Sequence, residues 1–296
     1  MGIRINPNPW TDLLRGLALD QQQENQAIQE LSTGKKVNQP SDDPAAAAGL
    51  IVNNAETSDV NTYLSNISTL QNSMQEADST LNSVVTALTQ AISVGTEGAS
   101  GTLNQTDRDA LAQQVNGIQQ QILEYANQSF EGNYLFAGTA VNTTPFVADS
   151  SSSGVSYVGN SGVNSVQIGD GQTVPANLPG SQLFTASGSD VFQALSDLSS
   201  ALSSGSNVSS AESEVQTAFN YINAQRAFYG TTLDRLNTAT SFLNSESTQL
   251  ATEQNNLVGV DMATAASQLT QAEVALNAAM AAGGKISETT LLDYLK

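Results

Sequence analysis

Carboxylates are the side chains in this sequence whose spacing could support chemistry, and two short stretches that contain them need an explanation. Asp42 and Asp43 stand directly before Pro44, and the stretch from Asp149 to Gly154 resembles the opening of a calcium-binding loop. That loop would need a bidentate Glu where Asn160 stands, so we reject a calcium site there. An aspartate beside a proline at the start of an apolar run is typical of a helix cap. We therefore predict that Asp42 or Asp43 caps a helix.

The absence of two residue types excludes most catalytic chemistry. The 296 residues contain no cysteine and no histidine. Disulfides, thiolate nucleophiles, imidazole bases, the usual zinc sites and every triad that needs histidine are therefore excluded. A metalloprotease insertion is excluded as well, because its zinc motif needs two histidines. The sequence predicts neither an enzyme nor a cofactor, and no small-molecule substrate.

Charge and hydropathy exclude two further classes of partner. The chain has 9 basic and 28 acidic residues, a net charge of −19, and its Lys and Arg residues form no cluster. Nucleic acid and anionic membranes require such clusters, so neither is expected as a partner. No run approaches 18 apolar residues, and Met1–Trp10 lacks the continuous apolar stretch of a signal peptide. We expect no membrane span and no amino-terminal signal.

Heptad spacing of apolar residues dominates the rest of the sequence. It predicts two helices whose apolar seams face a partner, the longer one roughly 60 Å in length at about 1.5 Å per residue. One line lies in the second half of the chain: Val215, Ile222, Tyr229, Leu236, Leu243, Leu250 and Leu257. Two lines lie in the first half: Val60, Ile67, Met74, Leu81 and Leu88, with Tyr63, Leu70, Ala77, Val84 and Ala91. We predict that these long helices pack against each other.

Glycines, helix-capping residues and turn signals predict the bounds of the remaining elements. Glycines between Gly95 and Gly101 predict that the first long helix ends near Ser93. Thr106 or Asp107 is then expected to cap a third helix that ends around Phe130. From residue 141 onward, turn signals alternate with short β-type runs, which predicts a small β insertion. Helix resumes at about Asp190.

The two ends of the chain predict a pair of helices with a weak seam. The heptad register slips at Gly259, and the next line runs through methionine, leucine and alanine opposite a helix at 11–33 with Gln21 and Glu24 in its seam. Such a pair buries little apolar area, so we expect it to be marginal in a monomer and to fold on assembly. The predicted contact surface comprises Leu14, Leu17, Ile28, Leu31, Met262, Leu269 and Leu276. An ordinary intramolecular core explains the same residues and stays open as the alternative.

The predicted fold class is mainly α, with nested long antiparallel helices: a terminal coiled-coil layer plus a helical bundle layer, and a small β insertion domain. The predicted domains are a terminal coiled-coil domain of residues 1–44 and 258–296, a long-helix bundle of 45–140 and 188–257, and the insertion at 141–187. A bundle with no task beyond folding would show the same seams.

Several short motifs resemble one family. They are Leu31–Asn38 (LSTGKKVN), Pro40–Ala46 (PSDDPAA), Tyr63–Ile67 (YLSNI), Tyr134–Gly138 (YLFAG) with Pro145-Phe146, and Leu291–Leu295 (LLDYL). Together they are similar to the flagellin superfamily of bacterial flagellar axial proteins, over roughly residues 1–146 and 190–296. The proline at Pro40 and the Leu-Asp-Tyr-Leu ending look more like the hook–filament junction proteins of that superfamily than like flagellin.

The resemblance implies a function outside the cell. It implies a structural adaptor at the distal end of the hook, exported through the flagellar type III apparatus and assisted by an export chaperone. Its implied partners are further copies of itself in a ring, hook-associated protein 1 and flagellin. The alternative within the family is flagellin itself. A binding module that recognises a glycan through the β insertion is a rival from another class. An aromatic-lined groove would support it, although Tyr157 is the lone aromatic in residues 147–183.

Overall fold

The computed structural model describes residues 9–294, and describes side chains from Trp10 to Lys285. Residues 1–8 and 295–296 of the predicted terminal domain lie outside this range, as do the side chains of the motif at Leu291–Leu295. The helices of the described part are α1 (Pro9–Thr33), α2 (Pro44–Gly98), α3 (Gln105–Ala126), α4 (Gly180–Leu183), α5 (Val191–Ser204), α6 (Val208–Val258) and α7 (Met262–Tyr294). No described helix is long and apolar enough to span a bilayer.

The strands are short and pair only with their neighbours in sequence. They are β1 (Ser129–Phe130), β2 (Asn133–Tyr134), β3 (Phe146–Ala148), β4 (Val155–Tyr157), β5 (Ser165–Gly169) and β6 (Gln172–Pro175). Three antiparallel two-stranded sheets result: β1 with β2, β3 with β4, and β5 with β6. The prediction of a mainly α protein with a small β insertion is confirmed.

The chain divides into two compact units. One contains Met1–Asp59 and Ser245–Lys296, and the other contains Val60–Asn244. We call them the terminal unit and the central unit. The long helices α2 and α6 each contribute residues to both.

The core of the central unit is the seam between α2 and α6. Polar pairs establish that the two helices run antiparallel here: Gln71 donates to Asn237 at 2.9 Å, and Arg226 pairs with Asp78 seven residues further along α2. The predicted heptad lines supply the buried residues, which include Ile67, Met74, Leu81, Val84, Leu88, Val215, Ile222, Tyr229, Leu236 and Leu243. Each large apolar member contributes roughly 1.5–3 kcal/mol when it leaves water. The prediction that these helices are partners is confirmed.

The first long helix continues to Gly98, so the prediction that it ends near Ser93 is wrong. The glycines inside its last turns provide close approach rather than a break. A Cβ added at Gly98 would overlap the Leu202 side chain of α5, and one at Gly95 would lie 3.3 Å from Leu198 Cδ1. The two helices therefore pack closely because these positions have no side chain.

Helix α3 also differs at both ends from the prediction. Asn104, rather than Thr106 or Asp107, caps it by accepting a hydrogen bond from the backbone N–H of Asp107 at 3.0 Å. The helix ends at Ala126 instead of near Phe130, because Phe130 pairs with Asn133 in the β1–β2 hairpin. Its buried face packs on α5, which begins after its cap Asp190 as predicted.

The β insertion is joined to the helices by an aromatic cluster. Phe146 lies 5.4 Å from Phe184 and 5.4 Å from Phe192, measured between ring centroids, and 5.0 Å from Tyr157. Phe136 contacts Phe184 edge to face at 5.3 Å. These aromatic pairs stabilise beyond the area that they bury. They connect β3 and β4 to α5 without a larger sheet.

Hydroxyl side chains of the long helices bond to their own backbone. Thr80 Oγ1, for example, donates to the carbonyl of Glu76 at 2.9 Å. Residues that make the same bond to the fourth preceding carbonyl are Thr57, Ser83, Thr86, Thr89 and Thr96 in α2, and Ser213, Thr217, Thr231, Thr238, Thr240, Ser241 and Thr252 in α6. These helices carry few charges, and much of their polar surface is already hydrogen-bonded.

The paired aspartates before α2 act as caps. Asp43 Oδ1 accepts hydrogen bonds from the backbone N–H groups of Ala45 and Ala46, both at 3.0 Å. Asp42 Oδ2 accepts from the backbone of Asn38 and Gln39 at 2.9 and 2.8 Å. Asp43 therefore starts α2, as predicted, and Asp42 holds the turn before it. Within residues 9–294, no group of three acidic side chains is arranged to hold a metal ion.

Candidate subunit-assembly surface

Helices α1 and α7 pair antiparallel in the terminal unit. Leu13 near the start of α1 lies against Gly283 near the end of α7, and Lys35 forms a β-bridge with Gly259. The bridge is reinforced by Lys36, whose N–H donates to the Val258 carbonyl at 2.8 Å. The heptad pattern predicted this pairing of the two ends, and the contacts confirm it.

The interior of this pair is small and partly polar. Its buried residues are Ala27, Ala265 and Ala272, together with the carboxylate residue Glu30, which is 8% exposed. Glu30 accepts a hydrogen bond from Gln26 at 3.0 Å, one turn earlier in the same helix. Alanine buries little area, and a buried carboxylate opposes folding unless it is paired. The pair is therefore held weakly compared with the leucine seam of the central unit.

The polar residues expected in the seam are distributed differently. Gln21 is exposed, so its predicted seam position is wrong, while Glu24 is half-buried as its position requires. The reason is the spacing on α1: the buried face follows Leu17, Glu24 and Leu31, and Gln21 lies on another face with Leu14 and Ile28.

The structure splits the seven predicted contact residues into two groups. Leu17, Leu31, Leu269 and Leu276 are half-buried. Leu14, Ile28 and Met262 are exposed, by 59%, 47% and 52%. The burial of the first group is consistent with a role in the fold of the chain itself, whereas the second group is open to solvent.

The terminal unit has further exposed apolar side chains in addition to this second group. They are Trp10 and Leu19 on α1, Val274 and Met280 on α7, and Ile51 and Val52 at the start of α2. Among side chains from Trp10 to Lys285, nine of the thirteen large exposed apolar residues belong to the terminal unit. Scattered apolar residues are normal on a surface, but such a concentration marks an interaction site.

Sequence reasoning missed the residues outside the predicted seven. A signal for the second face was present, because Leu14 and Ile28 are two heptads apart with Gln21 between them, beside the line through Leu17. A single partner helix covers only one of these two apolar lines, so the other line on α1 stays exposed. The isolated positions of Val274 and Met280 show no such period.

A carboxylate holds the start of α7. Asp261 accepts a hydrogen bond from the Ala263 N–H at 2.9 Å and another from the Thr264 hydroxyl at 3.1 Å. These bonds, the first above all, lower the pKa of Asp261 from its ordinary value of 3.8. The ionised group stabilises the positive end of the helix dipole and positions Met262.

Comparison with known proteins gives a family for this architecture. Residues 9–141 match the bacterial flagellin N-terminal helical region, and residues 213–295 match the bacterial flagellin C-terminal helical region. Flagellar hook-associated protein 3 of Salmonella typhimurium is 27% identical over 276 residues, covering 84% of this chain and 86% of that protein. The protein of the same name from Escherichia coli is 26% identical over 291 residues, covering 90% of each chain.

The fold agrees with these sequence matches. The crystal structure of flagellar hook associated protein-3 from Legionella pneumophila superimposes with a TM-score of 0.64 at 13% identity. It covers 70% of this chain and 98% of that one. The chain therefore belongs to the flagellin superfamily, on the branch of the hook-associated protein 3 relatives.

Proposed function

We propose that this protein is a structural component of the bacterial flagellum that joins the hook to the flagellin filament. The observation that carries the proposal is the concentration of exposed apolar side chains along the α1–α7 pair, among them Leu14, Ile28 and Met262. Its relatives are named for the hook, and we propose that it works outside the cell without catalytic activity. Other flagellar components are its partners.

The proposed contacts assign a task to each part of the chain. The terminal domain, residues 1–44 and 258–296, packs against copies of itself in a ring, against hook-associated protein 1 and against flagellin. Apart from Ile51 and Val52, the bundle of 45–140 and 188–257 and the insertion at 141–187 carry no contact residue in this proposal. Leu17, Leu31, Leu269 and Leu276 support the contact surface from within.

A weak terminal pair suits export followed by assembly. Its interior of Ala27, Ala265 and Ala272 with Glu30 contributes little free energy, so the ends unfold at small cost for passage through a narrow export channel. Covering Leu14, Ile28 and Met262 with neighbouring subunits then adds the apolar burial that the monomer lacks. In this proposal a chaperone covers the same residues before export.

Hydrogen exchange on the soluble monomer tests folding on assembly. We expect weak amide protection across residues 12–32 and 262–280, with strong protection at the central seam around Leu81 and Leu236. Protection of the terminal helices equal to that of the central seam would contradict the proposal.

Deletion of the gene tests the junction function. Electron microscopy should find hooks without filaments, and unpolymerised flagellin should accumulate in the medium. Loss of filaments with no flagellin outside the cell would instead identify the protein as flagellin. Normal filaments in a strain without a second copy of the gene would refute both.

A further inference from the structure

The start of α2 exposes an apolar face. Four exposed residues lie three or four positions apart there, which places them on one side of the helix. We call them the α2 face: Ala48, Ile51, Val52 and Ala55. Ile51 is 71% exposed and Val52 57%. The opposite side of α2 faces α6, because Asn53 is buried there and its carboxamide donates to the Leu250 carbonyl at 3.0 Å. The pairing of α2 with α6 therefore does not use the α2 face.

Two carboxylates border the α2 face. Glu56 lies one turn after Val52, and Asp59 lies one turn after Ala55. Both acidic residues are exposed. The 55 residues of α2 include no lysine or arginine. The α2 face is therefore an apolar surface with an acidic margin.

The first half of α1 exposes a second apolar face, which contains a positive charge. Residues three and four apart are again neighbours on the helix surface. We call them the α1 face: Leu14, Arg15, Ala18 and Leu19, all exposed. Leu14 is 59% exposed and Leu19 53%. Arg15 is the one basic residue among the 25 residues of α1. The α1 face thus places a cation within an apolar surface.

The charges of the two faces are available to another molecule. Among the side chains described from Trp10 to Lys285, Arg15, Glu56 and Asp59 take part in no salt bridge. An apolar surface that holds a cation complements an apolar surface with an acidic margin. We propose that the α2 face of one copy of this chain packs on the α1 face of a neighbouring copy, with Arg15 against Glu56. This inference rests on the proposed function and names the contact through which neighbouring copies meet.

The signs of the charges disfavour a symmetric contact. Two α2 faces brought together would place Glu56 and Asp59 of both copies side by side, and two α1 faces would place Arg15 against its own counterpart. Like charges in contact oppose association. The pairing of unlike faces is head to tail, and such a contact repeats from copy to copy until it closes a ring or extends a helix. A ring of subunits at a junction needs a contact of this kind.

The small size of the faces explains how the same chain stays dispersed before assembly. Each face covers about two turns of one helix, roughly 10 Å along its axis. Stable complexes bury roughly 1,200–2,000 Å² in total, which is more than two such faces supply. Copies that carry a net charge of −19 also repel one another at a distance. One contact is therefore too weak to hold a dimer, and it persists only where each copy uses both faces at once.

Charge reversal tests the contact in cells. Arg15→Glu and Glu56→Arg should each impair swimming, because the same like-charge contact then repeats around the ring. The two changes in one chain restore opposite charges with the signs exchanged, so this double variant should swim again. Arg235→Glu and Glu253→Arg are the matched controls, since they make the same charge changes at exposed positions outside both faces. Both controls should swim normally.

Disulfide trapping tests the contact with purified full-length chains. The natural sequence has no cysteine, so any disulfide must join introduced residues. Ala18→Cys on one chain and Ala55→Cys on a chain of different length are mixed at high concentration and oxidised. The mixed disulfide should form in preference to both homodimers. Its yield should fall as salt is raised, because counterions screen exposed charges.

The outcomes separate this contact from the proposed function. A double charge variant that swims no better than the single ones would overturn the contact, and so would single variants that swim normally in a strain whose gene deletion does not swim. Homodimers that equal or exceed the mixed disulfide would also overturn it, since they indicate a symmetric contact. Normal swimming of the deletion strain would refute the proposed function instead, while the disulfide result would still decide whether the two faces meet.

Discussion

Arg226 and Asp78 form a two-pronged ion pair across the α2–α6 seam: Nε lies 2.9 Å from Oδ1, and Nη2 lies 3.1 Å from Oδ2. Arg226 Nη1 also donates to Asn82 Oδ1 at 3.1 Å, one turn further along α2. The Asp78 carboxylate raises the pKa of Arg226, so the guanidinium is charged at every physiological pH. This pair and the Gln71–Asn237 hydrogen bond fix the register of two helices whose buried seam is largely apolar.

Replacement of the guanidinium should therefore destabilise the central unit although the charge is kept. Arg226→Lys loses the forked geometry, and we expect a decrease in the free energy of unfolding of about 1 kcal/mol, since the pair is partly exposed. Urea denaturation measures this. In a double-mutant cycle, Asp78→Asn with Arg226→Lys should cost less than the sum of the single changes. Strict additivity would mean that the pair contributes nothing.

The leucine seam should dominate stability. Leu81→Ala removes a fully buried side chain from α2 and should lower the free energy of unfolding by about 2–5 kcal/mol. The matched control is Phe242→Ala, which truncates a larger side chain that is 67% exposed on α6 and should change stability by less than about 0.5 kcal/mol. Equal effects at the two positions would refute the assigned seam.

Gly138 should tolerate a methyl group poorly. Gly138 and Gly171 both have positive φ, +74° and +63°, so alanine is strained by about 1–2 kcal/mol at either. A Cβ at Gly138 would also overlap the backbone carbonyl of Asn160, whereas nothing lies near Gly171. We expect Gly138→Ala to cost at least ~1 kcal/mol more than Gly171→Ala in thermal or urea unfolding. Similar costs would mean that the 138–160 contact relaxes freely.

The start of α7 should depend on pH through Asp261. Its pKa is lower in the folded chain, so its contribution is complete above the ordinary value of 3.8 and is lost as the pH falls through the lower folded value. Asp261→Ala should increase amide exchange in the first turn of α7 at neutral pH. Asp261→Asn keeps an acceptor oxygen without titrating, so the protection factors there, which are corrected for the intrinsic pH dependence of exchange, should change little between neutral pH and roughly pH 2. If protection of the first turn of α7 in the wild type were equally independent of pH, Asp261 would not be the group that holds this turn.

The contact surface should be separable from the fold. Leu14→Ser with Ile28→Ser changes two exposed side chains, so helix content and unfolding of the monomer should shift by less than about 0.5 kcal/mol. Filament formation and swimming should nevertheless be lost, because the apolar contact with neighbouring subunits is gone. Val147→Ser, at a 46% exposed residue of the insertion, is the control and should swim normally. Normal motility of the double variant would remove these residues from the interface.

The long seams were predictable because a heptad period has one physical interpretation. Residues such as Leu81, Val215 and Leu236 are buried where the period placed them, since an apolar stripe on a helix must be covered. Glycine was ambiguous: Gly98 looked like a breaker, but it permits contact with Leu202, a residue of another helix more than 100 positions away. Local sequence carries no information on such distant contacts.

Sequence reasoning identified the contact surface only in part. Of the seven predicted contact residues, the four half-buried ones could not be told from the three exposed ones, because both α1 lines have the same period.

The hydroxyls of the long helices that bond to their own backbone affect how readily another molecule can pack against these helices. The exposed residues Thr89 and Thr238 donate their hydrogen bonds to the preceding turn, so they bind water less strongly than lysine or glutamate at the same places would. Removing water from such a helix surface costs little free energy. Neighbouring subunits can therefore pack against it without a matching set of opposite charges. The scarcity of charge along these helices thus makes them suited to dense lateral packing while they stay polar enough to remain dispersed as single chains.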